Sequence, residues 1–300
     1  MKILFLASEI APFARTGGLA DVSGALPLAL AALGHDVRLA MPCYGDLRRR
    51  SAATDTGVRL PLAVAGVKQP AAILETALQG LPVYLVEQPA LFDRAGLYGT
   101  PAGDYPDNPK RFAAFCQAAL AMLPALGFRP EVLHGNDWQT GLAPVLLRAA
   151  RRNDPFFAGC GALFTIHNLG YQGLFPATAL PRLGLDPALA RPEALEFWGQ
   201  LSLLKGGVVF ADRVNTVSPT YRRETLGPEQ GYGFDGILRA RGEHYSGILN
   251  GIDRQQWNPA ADAALVQPYD VLALAGKAVC KTALQRELGL DERPDVPLVA

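Results

Sequence analysis

Four short stretches of this 300-residue chain carry side chains suited to a polar ligand. They are "ARTGGLAD", with Arg15, Thr16, Gly17, Gly18 and Asp21; "HGNDW", with His134, Asp137 and Trp138; "IHNLGYQG", with His167, Asn168, Tyr171 and Gln172; and "LNGI", with Asn250. Adjacent glycines between a strand and a helix let backbone amides approach a phosphate or a sugar hydroxyl. Arg15 adds a planar fork of donors that matches phosphate oxygens. The stretch is neither G-x-G-x-x-G nor G-x-x-x-x-G-K-[ST], so it supports neither a dinucleotide site nor a P-loop. Each feature also has a purely structural reading. The glycine pair serves as a tight turn, Asp137 as the N-cap of a helix starting at Trp138, and His167 as a core histidine bonded to backbone. Several strand ends with hydrogen-bonding groups on one edge are better explained together, by a ligand with many hydroxyls such as a sugar or nucleotide-sugar.

The elements that must position these residues are short apolar runs: "KILFLA" (2–7), "DVRLAMP" (36–42), "LPVYLVE" (81–87), "EVLHGND" (131–137), "ALFTIHN" (162–168), "DRVNTVS" (212–218) and "YSGILNG" (245–251). Most read as strands buried on both faces. Helical patterns lie between many of them, from Ala20 to Leu33, Asn108 to Leu123, Trp138 to Arg151, Pro192 to Lys205 and Pro219 to Glu224. The alternation predicts an α/β fold, a Rossmann-like doubly wound parallel sheet with helices on both faces. Right-handed crossovers then gather the strand C-termini on one edge, where open α/β sheets bind ligands. That edge is polar: Ser8-Glu9, Met41-Pro42, His134 to Asp137, His167-Asn168 and Ser218. Residues 59–88 read as a meander that extends the sheet. Near the C-terminus "KAVCKTALQRELGL" (277–290) reads as a helix, and "VPLVA" reads as the first strand of a second α/β domain or as an edge strand.

Half of the composition is apolar, at 49%, enough for a sizeable core. Lys plus Arg equals Asp plus Glu at 28 each, so no global field attracts nucleic acid or an anionic membrane. Cys43, Cys116, Cys160 and Cys280 are far apart, arguing against a zinc site and a disulfide framework. The N-terminus enters a strand directly, and no apolar run approaches the ~18 residues of a membrane span. These features point to a cytoplasmic protein without a metal site.

The stretches from Lys2 to Tyr44, "HGNDWQTGL", "FTIHNLGYQGLF", "VNTVSPTYRRE", "GYGFDGILRAR" and "ILNGIDRQQWNP" together resemble the N-terminal catalytic domain of bacterial glycogen synthases and plant starch synthases. The resemblance implies the N-terminal half of a GT-B glycosyltransferase. Residues 1–250 would form its first Rossmann-like domain, and 251–300 the linker and the start of the second. It implies retaining transfer of an α-glucosyl unit from ADP-glucose or UDP-glucose to the non-reducing end of an α-1,4-glucan. No cofactor beyond the nucleotide-sugar substrate is implied.

By the same resemblance His167 lies near the transferred glucose, where it bonds a hydroxyl and helps hold the developing positive centre. Arg15, Thr16, Gly17 and Gly18 bind the donor, with Arg15 where the family usually has Lys. Asp21, His134, Asp137, Trp138, Asn168, Tyr171, Gln172 and Asn250 form the sugar and acceptor pocket. Gln139 stands where His is common. Asp21 also suits a helix turn, and Asn250 an Asn-Gly turn. The family's later "RLxxQKG"-type and "E-x-x-G-L"-type segments do not occur in these 300 residues, so the chain alone is expected to turn over little. Two alternatives are another GT-B glycosyltransferase and a glucan-binding module without catalysis.

Overall fold

The computed structural model describes residues 1–299, in two compact units, Met1–Asn250 and Gly251–Ala300, the latter followed through Val299. The first unit is built on a nine-stranded sheet. Its strands are β1 (Lys2–Leu6), β2 (Asp36–Pro42), β3 (Thr54–Leu60), β4 (Ala71–Leu78), β5 (Leu81–Glu87), β6 (Val132–Asn136), β7 (Gly161–Ile166), β8 (Arg213–Thr216) and β9 (Tyr245–Gly247). Their spatial order is β9-β8-β7-β6-β1-β2-β5-β4-β3. Chain direction across the sheet therefore reverses between β1 and β6, the switch point at which doubly wound sheets open a crevice.

Every pairing from β9 to β5 is parallel, as the buried apolar runs imply. The meander expected over 59–88 forms one edge of the sheet, where β3, β4 and β5 pair antiparallel. The reason is local: Gln79 and Gly80, both at positive φ, turn the chain back immediately between β4 and β5, leaving no length for a crossover.

The longer helices between strands are α1 (Gly18–Ala32), α2 (Asn108–Ala125), α3 (Leu142–Asn153), α4 (Leu203–Phe210), α5 (Pro219–Thr225) and α6 (Asp235–Ala240). β1 is fully apolar at its centre because both faces are covered, with Leu4, Phe5 and Leu6 at 0% exposure. α2 is buried nearly all round, with Phe112, Phe115, Cys116 and Met122 inaccessible. Two expected helices change. The stretch from Trp138 to Arg151 splits into a 3-10 turn, Trp138–Thr140, and α3. The expected helix from Pro192 to Lys205 is a two-residue hairpin instead. Glu196–Phe197 pairs with Gln200–Ser202 across Trp198 and Gly199, at φ 51 and 81. Two consecutive positive φ values make this a type I′-like turn, incompatible with a continuous helix. Ser202 then caps α4 by accepting the Lys205 amide at 3.1 Å.

The second unit holds α7 (Ala275–Glu287), close to the helix expected over 277–290. The expected strand at 296–300 does not form through Val299, and its last residue, Ala300, lies outside the described residues. A lone extended segment has no ladder to join. Here the chain is tied instead by Lys281 Nζ, which donates to Pro294 O at 2.9 Å. Among the described residues no helix is long and apolar enough to cross a membrane, and no group of three or more His, Cys, Asp and Glu side chains is placed to hold a metal ion.

Candidate active site

A cavity of about 480 Å³ opens at the carboxyl ends of β1, β6, β7 and β8, over the switch point. Each strand end contributes a piece of wall: Glu9 after β1, Asp137 and Trp138 after β6, His167 and Asn168 after β7, Val217 after β8. Thr16, Gly17 and Gly18 close another side.

Asp137 has φ 57 and ψ 177, a conformation almost confined to glycine. Its side chain does not cap the 3-10 turn, which corrects the helix-cap reading. The carboxylate Oδ1 accepts the His167 amide at 2.8 Å instead, while the Asp137 amide donates to Thr165 O at 3.0 Å. Two strand ends are thereby knitted together at the cavity. Burial pushes the Asp137 carboxyl up to about 7; the charge of Glu9 adds to the rise and the amides of His167 and Asn168 oppose it.

His167 bonds Asn136 Oδ1 through Nε2 at 3.0 Å. The Asn136 amide nitrogen is committed to Leu6 O at 3.0 Å, so its oxygen is the acceptor and His167 Nε2 carries the proton. Burial lowers the imidazole to about 4, leaving it neutral at physiological pH with Nδ1 as an acceptor for a ligand hydroxyl. His167 thus lines the cavity with its ring held by a side chain, and is not the core histidine bonded to backbone of the structural reading.

His134 is that core histidine. It is 4% exposed and outside the cavity wall, its Nε2 is 2.7 Å from Thr165 Oγ1, and its ring meets Phe5 edge-on at 4.7 Å. The pocket role expected for it is corrected: within β6, side chains alternate between faces, and His134 is held among neighbouring strands rather than at their ends.

The glycine loop answers in part why it holds glycines. Gly17 has φ −161, open to any residue, and a Cβ built on Gly17 or Gly18 meets no protein atom within 4 Å. Neither the backbone nor the protein's own packing requires glycine there, so the space left open belongs to the cavity. No side chain caps α1, whose first-turn amides begin at this loop. Thr16 is part of the wall, with its amide and hydroxyl turned to Glu9.

Arg15 and Asp21 are not in the cavity wall. They pair with each other at 3.0 Å, both substantially exposed, which corrects the pocket role expected of Asp21 and leaves Arg15 engaged by Asp21 at the edge of the loop. The pocket role expected of Gln172 is also corrected. The residue is 8% exposed, outside the wall, and donates through Nε2 to Tyr232 O at 3.0 Å, while its carbonyl takes the Ser202 hydroxyl at 2.9 Å. Gly173, at φ 58, turns the chain beside it so closely that a Cβ would lie 2.6 Å from the Trp138 ring.

Trp138, Asn168, Tyr171 and Asn250 do line the cavity. Trp138 is 8% exposed and wedged against Phe112 at 5.0 Å and Phe175 at 5.7 Å between ring centroids, whereas Tyr171 stands 68% exposed at the mouth. Asn250 lies past β9 in irregular chain, where no Asn-Gly turn is formed.

Glu9, Tyr98, Asp104 and Gln139 belong to the wall and were not singled out as site residues from sequence. Glu9 had a visible signal, a carboxylate just past an apolar strand. Tyr98 and Asp104 sit in "DRAGLYGTPAGDYPD" (93–107), whose turn-like composition shows no period. Gln139 is 6% exposed, and its buried Oε1 has no hydrogen-bond partner among the described residues.

Strand order, switch-point position and a wall of amides, carboxylates and a neutral imidazole define an α/β domain with a polar crevice at its switch point. The model of the starch synthase catalytic domain matches residues 2–240, and the chain belongs to that family. Over the whole chain it is 52% identical to glycogen synthase 2 of Geobacter sulfurreducens and 53% identical to the glycogen synthase of Syntrophotalea carbinolica. It spans 62% of the length of each of these relatives. The solved catalytic domain of starch synthase IV from Arabidopsis thaliana, bound to ADP and acarbose, matches with a TM-score of 0.85 and 32% identity, covering 96% of this chain and 59% of that one. The fold is therefore that of the first GT-B half of this family.

Proposed function

We propose that this chain supplies the acceptor-side half of the active site of a glycogen or starch synthase. In this reading an α-glucosyl unit passes from ADP-glucose or UDP-glucose to the 4-hydroxyl at the non-reducing end of an α-1,4-glucan, with retention at the anomeric carbon. The observation that carries it is the pairing, in one cavity, of an unfilled glycine loop with the linked Asp137 and His167. The ADP and acarbose of the Arabidopsis relative support a nucleotide and an oligosaccharide as the two ligand types.

The bond broken joins the anomeric carbon to the diphosphate, and the bond formed joins it to the glucan hydroxyl, whose proton leaves with the diphosphate. The transition state gathers positive charge on the sugar and negative charge on the leaving group. Asp137, when ionised, faces the positive centre. Neutral His167 accepts a sugar hydroxyl at Nδ1 without adding a competing charge. Helix α1 and the amides of the glycine loop face the diphosphate, and Arg15 is released from Asp21 to join them. Cationic side chains, rather than a metal held by this chain, neutralise the diphosphate in this reading. A cytoplasmic location is part of the same proposal, and three buried unpaired thiols suit a reducing compartment.

The test is glucosyl transfer to glycogen from ADP-glucose and from UDP-glucose. It compares the 300-residue chain with the same chain fused to the C-terminal part of the Geobacter sulfurreducens relative that it does not cover. Transfer by the fusion, and not by the 300 residues alone, is expected. No transfer by the fusion, with glycogen still retained by the 300-residue chain, supports a glucan-binding module instead.

A further inference from the structure

Glu9 is 3% exposed, and its partners are hydrogen-bond donors rather than cations. Its Oε2 accepts the Thr16 amide, and its Oε1 accepts the Thr16 hydroxyl at 2.6 Å and the Tyr98 hydroxyl at 2.6 Å. Because Tyr98 donates to Glu9, the Ser8 hydroxyl 2.7 Å away donates to Tyr98. Burial pushes the Tyr98 phenol well above its ordinary range, so it keeps the proton it donates.

Tyr98 is fixed from below. Its carbonyl accepts Asn108 Nδ2 at 2.9 Å and the Tyr105 amide at 2.9 Å. Arg111 on α2 is fully buried and donates to Leu91 O at 2.7 Å, Leu97 O at 2.9 Å and Asn108 Oδ1 at 2.8 Å. Segment 93–107 is thus anchored to the rigid helix α2, and Tyr98 is its contact with the opposite wall. The two walls, 89 residues apart in sequence at this contact, meet in one carboxylate.

We infer that Glu9 is a positioning residue through which segment 93–107 holds the glycine loop in place: Tyr98 orients the carboxylate, and the carboxylate fixes both polar atoms of Thr16. Gly17 and Gly18 cannot order themselves, since glycine loses the most conformational freedom on being fixed. A buried carboxylate with three donors supplies that order before a ligand arrives, which lowers the entropic cost of binding. The inference rests on the proposed function only for which ligand benefits from the ordered loop.

The test is amide hydrogen exchange of the 300-residue chain, resolved residue by residue by NMR, without ligand. In Glu9→Gln protection at Thr16 is expected to fall roughly tenfold, the difference between a charge-assisted and a neutral hydrogen bond, and in Tyr98→Phe by a similar factor, because the carboxylate loses the donor that orients it. Protection at Ile3 to Leu6 stays within about twofold in both, because β1 is held by its own ladder. The double variant loses less than the product of the single losses, as members of one network do. Thr16→Val loses protection at the Ala20 amide, which donates to Gly17 O at 3.2 Å, while Thr16→Ser keeps it, a pair that decides the matter even if Tyr98→Phe fails to fold. Unchanged protection at Thr16 in Tyr98→Phe, or equal behaviour of the Ser and Val variants, overturns the inference. Failure of the donor reading shows separately, as no response of these amides to added ADP-glucose while the differences among variants persist.

Discussion

The Asp137 carboxylate accepts the His167 amide at 2.8 Å, so the end of β6 holds the end of β7 at the cavity. The same bond helps retain Asp137 at φ 57 and ψ 177, a backbone state that costs on the order of 1–3 kcal/mol for a residue other than glycine. The strain places a buried carboxyl against the cavity instead of over the following turn.

That carboxyl titrates where enzymes work. Its pKa is raised from 3.8 to about 7, so it is protonated below that pH and ionised above it. Transfer by the fused enzyme is expected to rise as pH passes through about 7. Asp137→Asn keeps an acceptor for His167 and is expected to lower kcat by about 10²-fold, with that rise gone. The stability sign is opposite. Between pH 3.8 and about 7 the folded state retains a proton that the unfolded chain releases, so stability is lost as pH rises across this window. Thermal unfolding of Asp137→Asn is expected to match the parent below pH 3.8 and to exceed it by several degrees at pH 8.

Two buried histidines set the acid limb. Burial depresses His134 from 6.5 to about 3, with the neighbouring His167 adding to the shift, and depresses His167 from 6.5 to about 4. Below pH 6.5 the unfolded chain takes up protons that the folded chain refuses, so stability is present above this value and lost as pH falls. Each group contributes a slope of about 1.4 kcal/mol per pH unit inside its window. Urea midpoints between pH 6 and 4 are expected to fall about half as steeply from this source in His134→Gln, whose amide still donates to Thr165.

Alanine at the glycine pair separates folding from binding. Gly17→Ala and Gly18→Ala meet no protein atom within 4 Å, so each is expected to leave the melting temperature within a degree or two. Each added methyl occupies space reserved for the ligand, and a loss of donor affinity of at least about tenfold is expected by calorimetric titration of ADP-glucose into the fused enzyme.

Gly173→Ala is the converse case. The residue sits at φ 58 with the Trp138 ring 2.6 Å from where a Cβ would be, so the change strains the backbone and displaces a core indole. A loss on the order of 2–4 kcal/mol is expected from urea unfolding, with a changed tryptophan emission spectrum in the folded state.

The sequence by itself determined the strands, most helices and the polar edge, because burial on two faces imposes continuous apolar runs and crossovers impose helical periods. Lys2–Leu6 and Leu81–Glu87 are read almost to the residue from this pattern. The hairpin at Trp198-Gly199 escaped it, since a helix pattern and a short buried hairpin use similar residues and only backbone torsion separates them. Family motifs pointed to one neighbourhood, and Asp137, Trp138, His167 and Gly17 all line the cavity there. What only the tertiary structure decided is which polar side chains face the cavity. His134 and His167 each follow or end an apolar run, yet strand pairing buries one beside Thr165 and leaves the other at the wall. Arg15 meets Asp21, Gln172 meets Tyr232, and Glu9 meets Tyr98 from across the chain. Local patterning records whether a residue is buried, but convergence depends on strand order and on which distant donor finds which acceptor, and no sequence period encodes that.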